Sequence, residues 1–138
     1  MFDLKLYTQE LKNLLALDNY NLKTQVVYLN FWEFIYCGWC PSTNMLNYYK
    51  AKLTTEETDV KKISYFSAKL QQKELLPIPF INLTGNSTAL DGIHRMFAAT
   101  KTFPQKKFPV LICYTQEKDF NQFLEKLARV EDKIWPKI

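Results

Sequence analysis

The stretch Asp91-Gly92-Ile93-His94-Arg95 gathers a carboxylate, a glycine, the chain's one imidazole and one of its two guanidinium groups within five residues. It lies where a strand-like pattern gives way to a helix-like one. A helix N-terminus offers unpaired N–H groups and a partial positive charge, a natural seat for phosphate. Gly92 would let a ligand approach the main chain closely, and Arg95 can fork onto phosphate oxygens. A carboxylate beside a phosphate repels it unless a divalent cation intervenes, which makes Asp91 a candidate Mg²⁺ contact, directly or through water. A plainer reading fits the same residues: Asp91 as an N-cap, Gly92 as a turn residue and His94-Arg95 as a solvated pair.

A second chemical pattern is Cys37-Gly38-Trp39-Cys40-Pro41, preceded by the apolar run from Val26 to Trp32. A thiolate at a helix N-terminus has a lowered pKa, and a second cysteine can resolve the mixed disulfide. This arrangement resembles the strand, Phe-Trp and Cys-x-x-Cys order of thioredoxin-like oxidoreductases, with Phe108-Pro109-Val110 standing in for the proline segment. Against it, the spacing from Phe31-Trp32 to Cys37 is one residue too long, and no hairpin strand follows before the helix near Asp119. The thiol alternatives are a buried pair, or a zinc site if the fold joined Cys37, Cys40, Cys113 and His94.

The elements that must position these residues can be read from periodicity. Leu4, Tyr7, Leu11, Leu14 and Leu15 predict an amphipathic helix ending near Asn19, and Val26 to Phe31 a buried strand. Trp32 to Trp39 has no clear period. Pro41 to Asn44 reads as the start of a helix running to Leu53, and Thr54-Thr55-Glu56-Glu57 as a capping box. Val60, Ile63, Phe66 and Leu70 then mark a helix ending near Lys73. Short strands are expected over Pro77–Leu83 and Ser87–Leu90 around a Thr84-Gly85-Asn86 turn. A helix carrying Ile93, Met96 and Phe97 follows, then a strand from Phe108 to Tyr114. A last helix, capped by Asp119 with Gln122 completing the box, turns Phe120, Phe123, Leu124, Leu127 and Ile134 inward. The expectation is one α/β (α+β) domain over 1–138, with a short mixed sheet flanked by helices.

Composition narrows the function classes. The 138 residues are 47% hydrophobic and 15% aromatic with only 3 glycines, which excludes a disordered or collagen-like chain. Lys and Arg number 18 against 14 Asp and Glu, for a formal charge of +4, and only Arg95 and Arg129 are arginines. So lysine-dominated a surface is weak support for a dedicated nucleic-acid groove. The aromatic cluster Tyr28, Phe31, Trp32, Phe34, Tyr36 and Trp39 reads as core before it reads as a base-stacking platform. Lys61-Lys62 and Lys106-Lys107 read as solvated faces. The longest apolar run is too short and too interrupted for a membrane span, and no signal peptide is apparent, so a cytoplasmic protein is expected.

Leu90-Asp91-Gly92-Ile93-His94-Arg95-Met96-Phe97-Ala98-Ala99 resembles the Asp-Gly-x-His-Arg-x-x-Ala signature of the ParB/sulfiredoxin-like superfamily. The flanking order also matches over about residues 60 to 115: helix, Pro-Ile strand, turn, signature, helix, Pro-Val strand. The resemblance implies a core over 54–115, an unassigned segment over 1–50 and a C-terminal helix over 119–136. It further implies a nucleoside triphosphate, ATP or CTP, held with Mg²⁺ by Gly92, His94 and Arg95, with Asp91 at the metal.

Departures from the pattern choose among branches. Ile93 stands where sulfiredoxins carry their reactive cysteine, which removes sulfinic-acid reduction. Phe97 stands where partition-type members carry a third arginine, and 138 residues leave no room for their helix-turn-helix and dimerisation modules. The nearest remaining branch is the free-amino-acid kinase type, whose carboxylate base lies early in the chain; Glu33 is the acidic residue in that neighbourhood. The resulting expectation is Mg²⁺-dependent phosphotransfer to a small molecule, or nucleotide hydrolysis, with Glu33, Asp91 and His94 as catalytic candidates. A non-catalytic nucleotide-gated or DNA-associated module and a thiol–disulfide oxidoreductase are the alternatives.

Overall fold

A computed structural model describes residues 1–17, 21–39, 42–85, 88–130 and 138. Its elements run β1 (Phe2–Asp3), α1 (Gln9–Ala16), β2 (Lys23–Leu29), α2 (Phe31–Trp39), α3 (Thr43–Thr55), α4 (Glu57–Gln71), β3 (Leu76–Pro77), β4 (Phe80–Asn82), β5 (Ala89–Asp91), α5 (Ile93–Thr102), β6 (Phe108–Tyr114) and α6 (Glu117–Val130). The protein is thus an α+β fold, as its alternation of helical and strand patterns implies. None of its described helices is long and apolar enough to cross a membrane.

Four strands form a mixed sheet in the order β2-β6-β4-β5, in which β4 and β6 are parallel and the outer pairs antiparallel. A parallel pair needs a crossover, and α5 supplies it. Residues of β6 are buried from end to end, because helices cover both of the sheet's faces. Phe108, Val110, Ile112 and Tyr114 join the larger core with Phe31, Phe34, Met96, Phe97 and Phe123. Leu111 and Cys113 point the other way, into a smaller core with Leu11 and Leu14 of α1. That alternation is the period of two that a strand imposes.

Several local expectations change. The first helix begins at Gln9, five residues later than Leu4, because Phe2–Asp3 pairs with Leu76–Pro77 in a two-stranded parallel sheet. Thr8 then caps α1, its hydroxyl accepting from the Leu11 amide. The expected end near Asn19 lies outside the described residues. The strand predicted over Val26–Phe31 spans Lys23–Leu29, and Phe31 already belongs to α2.

The run from Trp32 to Trp39 is helical but shows no amphipathic period, since seven of the nine α2 residues are buried. The capping box expected at Thr54–Glu57 is not formed. Thr54 and Thr55 donate back to the Lys50 and Ala51 carbonyls of α3, and Glu56, the cap of α4, makes no side-chain cap bond. The strand expected over Pro77–Leu83 is broken into β3 and β4: Leu76 and Ile78 bond to the N-terminal segment, whereas the Pro79 carbonyl accepts from Leu111 of β6. The last helix starts at Glu117 instead of Asp119, and its Leu124 is exposed at 41% instead of inward. Ile134 lies outside the described residues.

Candidate functional site

The signature segment falls at the junction of β5 and α5. Asp91 ends the strand, and Gly92, not Asp91, is the N-cap, with φ 102° and ψ 25°. This left-handed backbone is one that L side chains adopt at a cost, so glycine is required for the turn itself. A Cβ here would lie 2.7 Å from the Pro79 Cβ and 2.8 Å from the Arg95 Nη2. The close approach for which the glycine makes room is therefore first of all that of Pro79 and Arg95.

Arg95 is nearly buried at 8% exposure, and its Nη2 donates to the Asp91 Oδ2 at 3.2 Å. The same Oδ2 accepts from the Thr8 hydroxyl at 3.3 Å, which ties the turn to the cap of α1. Arg95 Nε is buried with no hydrogen-bond partner among the described residues. A buried, unsatisfied N–H on a cation costs desolvation energy that only an acceptor can return. The first turn of α5 carries no acidic residue, and its cap makes no side-chain hydrogen bond to the turn.

His94 is held from behind by α4. Its Nε2 lies 2.6 Å from the Asp59 Oδ1, and the other Asp59 oxygen accepts from Lys52 Nζ at 2.7 Å. Asp59 itself is buried at 6% exposure. The Lys52 ammonium, and then His94, hold the Asp59 carboxyl below the usual carboxylate range. An ionised Asp59 accepts hydrogen bonds only, so His94 Nε2 is the donor and Nδ1 is the nitrogen left with an open lone pair when the ring is neutral.

Between α4 and the α5 N-terminus runs a cleft of about 500 Å³ lined by Lys61, Lys62, Tyr65 and Phe66 on one side and Asp91 to Arg95 on the other. Lys61 pairs with Glu57 on the surface, while Lys62 has no ion-pair partner among the described residues. The cleft thus sets two exposed ammonium groups opposite a buried guanidinium and an open helix start. Lys61-Lys62, expected to be merely a solvated face, forms one wall of it. Asp91 is the one carboxylate among the described lining residues, and its Oδ1 has no hydrogen-bond partner among them.

Gly92, Asp91, His94 and Arg95 are brought together; Glu33 is not. Glu33 is 5% exposed at the start of α2, where its Oε1 accepts from the Asn30 amide while the Asn30 Oδ1 accepts from the Glu33 amide. This reciprocal pair is a capping box. Lys107 closes it with a 2.9 Å contact to the Glu33 Oε2. The neighbouring Phe31 amide donates to Thr100, eight residues beyond Gly92 and so about 12 Å along α5 from the turn. Glu33 accordingly works as a cap, and the role of base that the resemblance suggested for it has no geometric support here.

The cysteine pattern also loses its geometry. Cys37 is fully buried in the C-terminal half of α2, not at a helix N-terminus, and Cys40 lies outside the described residues. Cys113 faces the smaller core, where burial pushes its thiol up to about 12. No group of three or more metal-ligating side chains converges among the described residues, so Cys37, Cys113 and His94 do not assemble a zinc site there. Of the aromatic cluster, Phe31, Trp32 and Phe34 are core, Tyr36 is half-buried, and Tyr28 and Trp39 are exposed.

Sequence reasoning missed Asp59. Its one available signal was the lone histidine's need of a partner, and 35 residues separate the two. No family model, curated protein or solved structure matches the chain.

Proposed function

We propose that the α4–α5 cleft binds the phosphate groups of a nucleoside triphosphate, ATP or CTP, together with Mg²⁺, and transfers the terminal phosphoryl group to a small-molecule hydroxyl or to water. The observation that carries this reading is Arg95: a buried guanidinium whose Nε lacks an acceptor among the described residues, beside an open helix start and opposite Lys61 and Lys62. Backbone amides, a forked cation and flanking lysines are the donors a polyphosphate needs. The likeness of Asp91–Arg95 to the ParB/sulfiredoxin-like signature supports the same assignment, as does the parallel β4–α5–β6 unit around it.

Asp91 suits a Mg²⁺ that arrives with the nucleotide. That ion keeps several waters and takes only one or two protein carboxylates, the rest of its shell coming from phosphate oxygens. When bound it would neutralise phosphate charge that Asp91 otherwise repels. The chain's own part is to hold the polyphosphate: Arg95 and the α5 amides at one end, Lys62 across the cleft at the other. A cytoplasmic location fits this ligand, and DNA association draws support from the resemblance alone.

Calorimetric titration of ATP, ADP and CTP with and without Mg²⁺ tests the reading on wild type, Arg95→Lys and Lys62→Ala. Wild type should bind a triphosphate in the presence of Mg²⁺, and each variant should lose about tenfold or more, the size of one charge-assisted contact. Arg95→Lys keeps a charge for Asp91, and Lys62 is exposed, so folding is retained in both. No binding of any nucleotide by folded wild type would end the proposal.

A further inference from the structure

With Glu33 committed to a cap, and Asp91 held by Thr8 and Arg95 and assigned to the metal, no further carboxylate lines this cleft among the described residues, and the cleft offers a different base. We infer that His94 is the proton acceptor of the reaction and that Asp59 is its positioning residue, an inference that rests on the triphosphate reading above. The 2.6 Å contact from Asp59 to His94 Nε2 fixes the ring's orientation and tautomer, with the N–H on Nε2. Nδ1 is then the basic nitrogen of a residue that lines the cleft between Arg95 and the lysines. Behind it, Asp59 is buried and doubly engaged, so it cannot swing to an alternative partner without breaking the 2.7 Å bond to Lys52.

The acceptor hydroxyl, of a small molecule or of water, loses its proton to His94 Nδ1 as its oxygen bonds to the terminal phosphorus. The bond from that phosphorus to the bridging oxygen breaks, and its electron pair leaves with the nucleoside diphosphate. His94 becomes an imidazolium whose charge Asp59 faces at hydrogen-bond distance, and the proton then passes to solvent. Deprotonation by a positioned imidazole contributes about 10²–10⁴-fold. His94 is therefore catalytic, because it touches the reacting hydroxyl, whereas Asp59 acts only through the ring.

Two measurements on full-length protein separate this from a purely structural ion pair. The single histidine makes its ring signals self-assigning, so long-range ¹H–¹⁵N correlation reads the tautomer directly. Wild type near neutral pH should carry its ring proton on Nε2, and Asp59→Asn should lose that preference. Phosphate release from Mg·ATP and Mg·CTP is followed in parallel, with water alone and with a panel of small hydroxyl compounds. Asp59→Asn and His94→Gln should lower kcat by about 10²-fold or more, Asp59→Asn with triphosphate affinity within about a factor of three, and added imidazole should restore part of the His94→Gln loss. Triphosphate binding with an unchanged kcat in both variants, or an Nδ1–H tautomer in wild type, overturns the base assignment and leaves the binding site standing. Binding by wild type without any turnover overturns it too and identifies a non-catalytic module, while absence of binding removes the site and the inference together.

Discussion

At the scale of single residues, the turn at Gly92 is constrained twice over. Its positive φ and the atoms waiting where a Cβ would go, Pro79 at 2.7 Å and Arg95 at 2.8 Å, act in the same direction. Gly92→Ala should cost about 1–3 kcal/mol in urea denaturation from backbone strain and crowding. It should also displace the Arg95 guanidinium, so triphosphate affinity should fall along with stability; a fully stable variant would mean that the left-handed turn is not the native geometry. Asp59 gives a pH signature instead. Its pKa is depressed in the folded state by Lys52 and then His94, so its contribution is present above the ordinary carboxylate pKa of about 4 and fades as pH falls through the folded value. Wild type should therefore be more stable than Asp59→Asn at pH 7, and the difference should shrink as pH falls below the ordinary carboxylate range, as read from paired urea midpoints. A gap that stays constant with pH would exclude the ion pair as its source. The signature residues 91–95 were legible because glycine, imidazole and guanidinium at a strand–helix junction carry local chemistry. Asp59 was not, because a carboxylate on a helix face looks solvated until its partner on another helix is known.

At the scale of elements, what the sequence concealed was mostly the work of neighbours. In α2, Phe31, Trp32, Phe34, Ile35 and Cys37 surround the helix with apolar side chains, so no face is polar enough to mark a 3.6-residue period. Thr54 and Thr55 had the spacing of a cap, yet they lie at the end of α3, where their hydroxyls find carbonyls of the preceding turn. By contrast β6 and α5 were legible nearly to the residue, since a seven-residue β-branched and aromatic run and a glycine-started helix carry their own boundaries. The placement of α2 bears on the site through Gly38, whose missing side chain accommodates Leu90: a Cβ would lie 2.7 Å from the Leu90 Cγ. Leu90 immediately precedes Asp91, so crowding at this helix–strand contact is passed to the turn. Alanine would favour the helix by roughly 1 kcal/mol, whereas overpacking costs about 1–3 kcal/mol. Gly38→Ala should accordingly be destabilising on balance in urea denaturation, and the partner change Leu90→Ala should recover part of the loss in the double variant. Simple additivity of the two would show that the helix and strand do not meet there.

At the scale of the whole molecule, the sheet divides two cores, and the cleft lies beside the larger one, against which its Phe66 and Ile93 pack. Phe80 and Leu111 face α1 while Ile81 and Ile112 face α2, α5 and α6, so β4 and β6 cannot separate without opening both sides. The turn at Gly92 hangs from this pair through Pro79, whose carbonyl accepts from Leu111, and through the Asp91–Phe80 pairing. The proposed site is thus mounted on the buried strands β4 and β6, while of its lining residues Lys61, Lys62 and Tyr65 of α4 are exposed. Cys113, on β6 with its thiol pushed up to about 12 by burial, reports on that scaffold. Its thiolate is scarce and shielded in the native state, so alkylation at pH 8 has to await an opening of the sheet. Labelling of Cys113, followed by peptide mass spectrometry, should be slower than that of a model thiol by several orders of magnitude and should accelerate with urea in step with global unfolding. On the proposed function, triphosphate with Mg²⁺ should slow it further by mass action, because a ligand of this cleft needs β4, β5 and α5 assembled. Fast alkylation in native buffer, insensitive to urea, would mean that the sheet opens locally beneath the cleft and that the turn at Gly92 is not rigidly mounted.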